Sequence, residues 1–555
     1  MHRFTIRRAG CRSGARVVGV VLWLLAMMPA CARAANRAAD AKVRADVTRF
    51  GTRVDSILAG PQADRAYWGI EIADRDTGET LYSLNAGHFF TPASNAKLIV
   101  TSMALATLGP DFRFRTTLES DGTLGPGGKL TGDLILVGRG DPDLSNRIFP
   151  FAGEFERQGA ANKIFAEMVD AAVAKGLREV DGDIVADDSY FPYDPYPAGW
   201  SVGDLFFDFG VPVSAITFND NVVSIEVQPG ARPGDPAVIS TQPAASIETL
   251  AHQVTTSRAG EMPQIAVVRQ PGTNFLLLRG TIPAGHEPVR LDLAMIAPAE
   301  TAGRAIRDLL EARGVRVTGD VRVRHSAPPE TLANGEPVFP AAEPQPKTHR
   351  LVLAEHLSPP LIQSIELTNK ISQNLHAEIF LRTVGLEKSG LASTAAGLKV
   401  ERGYLESAGV PDGDVVMSDG SGLSRDDLVT PRAMVDLLRY AAREPWGRAF
   451  ISTLPVSGED GTLDDRMRNS PAAGRIEAKT GSTEHVHSLS GYATTERGEQ
   501  LVFSIFCNND AQHGPGATKP LDEIATAMIE TLGPAASIEK PGMKKAMNVK
   551  GGAGL

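Results

Sequence analysis

The run "TPASNAKLIVT", Thr91 to Thr101, holds a single charged residue, Lys97, inside a stretch that otherwise reads as buried. Ser94 precedes it by three residues, one helical turn, so the two side chains can share a face. A serine hydroxyl is a poor nucleophile unless a neighbour takes its proton. A lysine can do this only when desolvation or a second cation lowers its pKa. Two further runs carry compatible chemistry. Ser372-Gln373-Asn374 lies in a second helical region, and Lys479-Thr480-Gly481, followed by Ser482, lies on a strand near the end of the chain.

In this order, S-x-x-K, S-x-N and K-T-G resemble the signature of the serine penicillin-recognising acyl-transfer enzymes. On that reading Ser94 is the nucleophile and Lys97 its base. Lys479 supplies the second cation across the cleft, and Ser372 relays a proton to the leaving amine. Asn374 hydrogen-bonds the substrate amide. Lys479, Thr480 and Ser482 complement a substrate carboxylate, with Gly481 between them on the strand. The backbone N–H groups of Ser94 and Ser482 form the oxyanion hole, each such donor contributing about 3 kcal/mol.

Longer runs narrow the resemblance to the class C, type 4 penicillin-binding proteins of low molecular mass. They are "GHFFTPASNAKLIVTSMAL", "GDLILVGRGDPDLS", "SDGSGLSR" (Ser418 to Arg425) and "LPVSGEDGTL" (Leu454 to Leu463). This family implies D-alanyl-D-alanine carboxypeptidase and endopeptidase activity, stem peptides of peptidoglycan as substrate and β-lactams as ligands. It also implies an α+β, transpeptidase/β-lactamase-like domain, an antiparallel sheet flanked by helices, split by a long strand-rich insert. Arg425 and an acid of the insert, Asp187 or Asp188, match positions that help bind the stem-peptide side chain. Ser482 stands where the family usually has threonine; it keeps the hydroxyl and the N–H.

The elements that must position these residues are legible in outline. Residues 41–60 have a helical repeat. "YWGIEIADRDTGETLYSLNA" reads as a hairpin around an Asp- and Gly-rich turn, and Pro92 suits a helix start. Residues 161–175 and the stretch from 299 predict helices, the latter followed by a strand. Glycine-punctuated strands dominate between. Helical texture returns at about 357, with no glycine before Gly385. The end is sheet-like, with "ERGE" as a hairpin turn. The expected division is residues 1–34 as a signal peptide, 35–115 and 351–535 as the split catalytic domain, 116–350 as the insert ending in a Pro-rich linker, and 536–555 as a flexible tail.

Residues 1–34 combine a basic start, a 14-residue apolar run and "ARA", the layout of a cleavable secretory signal, which implies a periplasmic protein. Cys31 leaves lipidation open as an alternative. This segment holds six of the 56 basic residues and none of the 66 acidic ones, so the remainder carries a net charge near −16. That argues against nucleic acid as a partner. Removing it leaves one cysteine, Cys507, in a run that reads as a buried strand, so no internal disulfide is expected. His485 and His487 lack an acid or cysteine at ligand spacing, and neither a metal nor a cofactor is expected. Two other readings remain, a serine β-lactamase and a non-catalytic peptidoglycan-binding protein of the same fold. Oligomeric state is not legible.

Overall fold

The computed structural model describes residues 44–153, 157–270, 272–326, 350–511 and 515–533. The signal segment, most of the Pro-rich stretch and the tail from 536 lie outside the described residues.

Helix α1 (Ala45–Leu58) leads into β1 (Tyr67–Asp74) and β2 (Thr80–Leu84), the hairpin expected from the sequence. A short 3₁₀ turn, Ala93–Asn95, opens α2 (Ala96–Leu108). After a long excursion come α3 (Leu361–Ile371), α4 (Asn374–Ser389) and α5 (Pro431–Arg443). The chain ends with β3 (Ile476–Thr483), β4 (Val486–Thr494), β5 (Gln500–Asn508) and α6 (Pro515–Thr531).

These five strands form one antiparallel sheet in the order β2-β1-β5-β4-β3, with β3 at an edge. Alternation explains why β5 reads as continuously apolar. Leu501, Phe503, Ile505 and Cys507 pack with Phe50, Val54, Ile524 and Met528 of the terminal helices. Val502 and Phe506 face the opposite core, built around Leu98, Met103, Phe380 and Leu438 of the inner helices. Both faces are buried, so every position of the strand can be apolar. Cys507 is a core residue, and burial pushes its thiol up to about 12, which keeps it unreactive.

Helical texture after 357 proves to be two helices. Ser372 breaks them, with a left-handed φ of 64°, and Gln373 caps α4 by accepting from the Leu375 N–H at 3.1 Å. No glycine marks the break, which is why the periodicity hid it.

Between α2 and α3 the chain builds a second core. Five strands are ordered Val321–Ser326, Ile184–Pro192, Leu134–Val137, Arg115–Ser120 and Leu351–Leu357. Helices Lys163–Ala174 and Pro298–Ala312 supply Phe165, Met168, Ala302 and Ile306 to its core. Three smaller sheets complete the excursion. The sequence reading placed Leu351–Leu357 with the catalytic unit. The strand instead pairs antiparallel with Arg115–Ser120, so the chain entering the excursion and the chain leaving it lie side by side.

Gly69 on β1 faces Phe90 so closely that a Cβ there would overlap the ring and lie 2.8 Å from Cγ of Pro431. Gly69→Ala therefore overpacks the sheet–helix junction, and the expected loss of stability is about 1–3 kcal/mol. Calorimetry of the variant checks this: a clear fall in Tm is expected, and an unchanged Tm contradicts the packing.

Candidate active site

Ser94 sits at the 3₁₀ turn that starts α2, and Lys97 on that helix's first full turn. The two reactive atoms, Lys97 Nζ and Ser94 Oγ, are 2.8 Å apart. Lys97 Nζ also donates to the Ser421 carbonyl at 2.7 Å. That carbonyl belongs to the "DGSGLSR" loop, held by Asp419. Its carboxylate accepts from the N–H groups of Ser421, Gly422 and Ser424 and from the Trp200 indole. Gly422 is required here: its φ is +79°, and a Cβ would collide with the Ala93 carbonyl.

The S-x-N and K-T-G runs meet opposite. Lys479 Nζ donates to Ser372 Oγ at 2.9 Å and to the Thr480 carbonyl at 2.8 Å. Thr480 Oγ1 donates to Thr462 Oγ1 at 2.7 Å. Asn374 opens α4 and donates to the Phe209 carbonyl of the excursion at 2.8 Å. Gly481 lets the strand edge approach the serine turn, since a Cβ there would lie 3.0 Å from the Ser94 nitrogen. The backbone of Gly481 is thereby brought against that of Ser94. Asn95 and Ser488 fix this approach: Asn95 donates to Ser488 Oγ, which donates to the Pro92 carbonyl at 2.7 Å. Neither was singled out in the sequence, where each sits beside polar residues that carry the motifs or the hairpin turn.

Both lysines are fully buried. Burial disfavours the ammonium and brings Lys97 from 10.5 to about 7, against the opposing pull of Asp419, Glu378 and Asp427. Burial also lowers Lys479 well below the usual lysine range, and the charge of Lys97 lowers it further. The sequence reading gave Lys479 a share in lowering Lys97. Desolvation is the largest cause at each lysine, and the repulsion between the two cations acts on both. Beneath Lys97 lies a buried carboxyl cluster. Desolvation pushes Asp427 up to about 11 and Glu378 and Glu401 up to about 8. Those three are largely protonated at neutral pH, which limits the negative charge that would return Lys97 to its ammonium form.

Ser482 Oγ lies 3.2 Å from Nδ1 of His487, whose Nε2 is 3.8 Å from Asp510. His485 is at the hairpin turn, its Nδ1 2.7 Å from the Asp510 carbonyl. Among the described residues no group of three His, Cys, Asp or Glu side chains is placed to hold a metal ion.

Arg425 projects at the rim, its Nη1 3.5 Å from the Glu484 carbonyl and its Nη2 3.9 Å from Asp204. The expected acids are elsewhere. Asp187 accepts from Ser189 at 2.5 Å and pairs with Arg324 at 2.8 Å. Asp188 accepts from Ser214 at 3.0 Å and faces His325 at 2.7 Å. Both are buried on a strand of the excursion and engaged by its own residues. The acid facing Arg425 is Asp204, in "GWSVGDLFF". Pairing by sequence could not find it, because a short 3₁₀ turn, Asp204–Phe206, far from Arg425 in the chain, places it there.

The sequence profile of the D-Ala-D-Ala carboxypeptidase 3 (S13) family matches residues 51–528. The chain belongs to this family. It is 34% identical to the D-alanyl-D-alanine carboxypeptidase of Actinomadura sp. (strain R39), over 95% of this chain and 93% of that one. It is 28% identical to the D-alanyl-D-alanine carboxypeptidase DacB of Haemophilus influenzae, over 76% and 81%. The crystal structure of penicillin binding protein 4 (dacB) from H. influenzae superposes with a TM-score of 0.70 at 25% identity, covering 86% of this chain and 98% of that one. The α+β fold of a sheet flanked by helices, interrupted by a long insert, is thus that of this family.

Only the free amine of Lys97 can take a proton. Its fraction grows as pH rises through about 7, so acylation by a β-lactam should climb about tenfold per pH unit below that point and level off above it. Stopped-flow acylation rates against pH check this; a flat profile across neutrality contradicts the assignment.

Proposed function

We propose that the protein is a serine D-alanyl-D-alanine carboxypeptidase that acts on peptidoglycan stem peptides through an acyl-enzyme on Ser94. What supports this above all is the contact of 2.8 Å between Ser94 Oγ and a fully buried Lys97 amine. Ser94 Oγ attacks the carbonyl of the penultimate D-alanine while Lys97 Nζ takes its proton. The N–H groups of Ser94 and Ser482 hold the oxyanion. Ser372, hydrogen-bonded to Lys479, relays to the leaving amine the proton that Lys97 took from Ser94, as the peptide bond breaks. Water then hydrolyses the ester and frees Ser94. Lys479, Thr480 and Ser482 receive the terminal carboxylate, and Asn374 the substrate amide. Arg425 and Asp204 receive the polar end of a stem-peptide side chain.

A cross-linked amine leaving in place of D-alanine gives the endopeptidase reaction at the same site. β-Lactams acylate Ser94 and are released slowly. The work is periplasmic, following removal of the amino-terminal signal. The pairing of Leu351–Leu357 with Arg115–Ser120 supports a catalytic domain that resumes near residue 358, the insert running from about 115.

Ser94→Ala removes the nucleophile and leaves the cleft intact. Intact-mass analysis with benzylpenicillin should show one stable adduct on Ser94 in the parent protein and none in the variant. D-Alanine release should fall by about 10⁴-fold or more. An adduct on the variant, or rapid penicillin turnover by the parent, contradicts the proposal.

A further inference from the structure

The segment Asn219-Asp220-Asn221 of the insert is unusual in its backbone. Three consecutive non-glycine residues have left-handed φ values of 52°, 56° and 57°. All three are buried. A single left-handed residue of this kind costs about 1 kcal/mol or more, and such strain persists only where the surroundings enforce it. Here they do. Asn219 donates to the Val222 carbonyl at 2.8 Å and accepts from Arg157 at 2.9 Å; Asn221 donates to the Pro212 carbonyl at 2.8 Å. What the turn presents is the Asp220 carboxylate. Its Oδ2 is bound by Arg147, Nε at 2.7 Å, and by Arg157 at 2.5 Å; the carboxylate is buried and Arg157 is partly exposed. These cations outweigh desolvation and keep Asp220 ionised.

The same Oδ2 accepts from Nε2 of Gln373 at 3.4 Å. Gln373 is the middle residue of the S-x-N run and its other amide atom caps α4. It therefore ties two things together: the left-handed break that aims Ser372 at Lys479, and a rigid anion 153 residues earlier in the chain. A second tether reaches the first turn of α3, where Asp143 accepts from Ser364 at 2.5 Å. Neither carboxyl hydrogen-bonds to Ser94, Lys97 or Lys479. Their connection to the cleft is through the ends of α3 and α4.

We infer that Asp220, presented by the strained Asn219–Asn221 turn and fixed by Arg147 and Arg157, is a positioning residue for acyl transfer: through Gln373 it sets the Ser372–Asn374 turn that delivers a proton to the leaving group. The inference rests on the catalytic reading given above. The insert is on this account a working part of the active site, because the second wall of the cleft takes its conformation from it.

The test uses Gln373 because Asp220→Asn strands two arginines and can fail to fold. Gln373→Met keeps the volume and removes the amide. Gln373→Glu places a carboxylate against Asp220 when ionised, but when protonated it restores one donor and one acceptor. With a D-alanyl-D-alanine peptide, kcat of Gln373→Met should fall about tenfold or more, because the proton relay through Ser372 is disturbed. The activity of Gln373→Glu relative to the parent should recover about tenfold between about pH 8 and about pH 5, as the new carboxyl protonates; the Gln373→Met ratio should stay flat over the same range. A folded Gln373→Met with kcat within about twofold of the parent, or a Gln373→Glu ratio without pH dependence, overturns the inference. A parent protein that forms no Ser94 adduct would instead overturn the catalytic reading, so the two failures are distinguishable.

Discussion

Two lysine amines are buried in one cleft, and the architecture around them follows from keeping them there. An isolated buried ammonium is costly, and a lysine in that position gives up its proton instead. Lys97 is brought to about 7 by burial, close enough to neutrality to exchange a proton with a serine. The surroundings are built to desolvate without supplying too much negative charge. The sheet is covered on both faces, the "DGSGLSR" loop closes over the base of the serine turn, and three carboxyls nearby are raised far enough to stay largely protonated. A more ionised cluster would hold Lys97 as an ammonium and silence it.

The site is assembled from distant pieces. Ser94 comes from a turn beside the sheet edge, Ser372 and Asn374 from a break between two helices, and Lys479 from the edge strand itself. Each piece is held by a residue with no part in bond making. Gly481 and Gly422 permit close approach of backbones, Asn95 and Ser488 fix the serine turn, and Asp419 ties a loop through five hydrogen bonds. The insert contributes Trp200, Asp204, Phe209 and Asp220 to the same neighbourhood. These contacts fall on the S-x-N and "DGSGLSR" segments, which joins the packing of the insert to the geometry of the site.

Much of this was legible in the sequence because the chemistry is carried by short, ordered motifs. Ser94-Lys97, Ser372-Asn374 and Lys479-Ser482 meet in the structure as their order implied. The hairpin of β1 and β2, the first helix and the terminal sheet follow from periodicity that packing enforces. Other features depend on contacts that local pattern does not encode. The helix break at Ser372 lacks a glycine. Asp187 and Asp188 match by position, yet Arg324 and His325 engage them on a strand, while a short 3₁₀ turn brings Asp204 to Arg425. Strand Leu351–Leu357 finds its partner over 230 residues away in the chain. The opposing actions on Lys97, burial against a carboxyl cluster, are a property of three-dimensional neighbours and have no sequence signature.

The claim on which the rest depends is that Lys97 is a free amine near neutral pH in the folded protein. Nuclear magnetic resonance of the protein carrying ¹³C-labelled lysine, with Lys97 assigned by its loss in Lys97→Arg, measures this directly through the shift of its Cε across pH. The account predicts a titration centred at about 7, far from the ordinary lysine value of 10.5. A Cε resonance that stays in the ammonium position until pH is near 10.5 would contradict it, and Ser94 would then need another base.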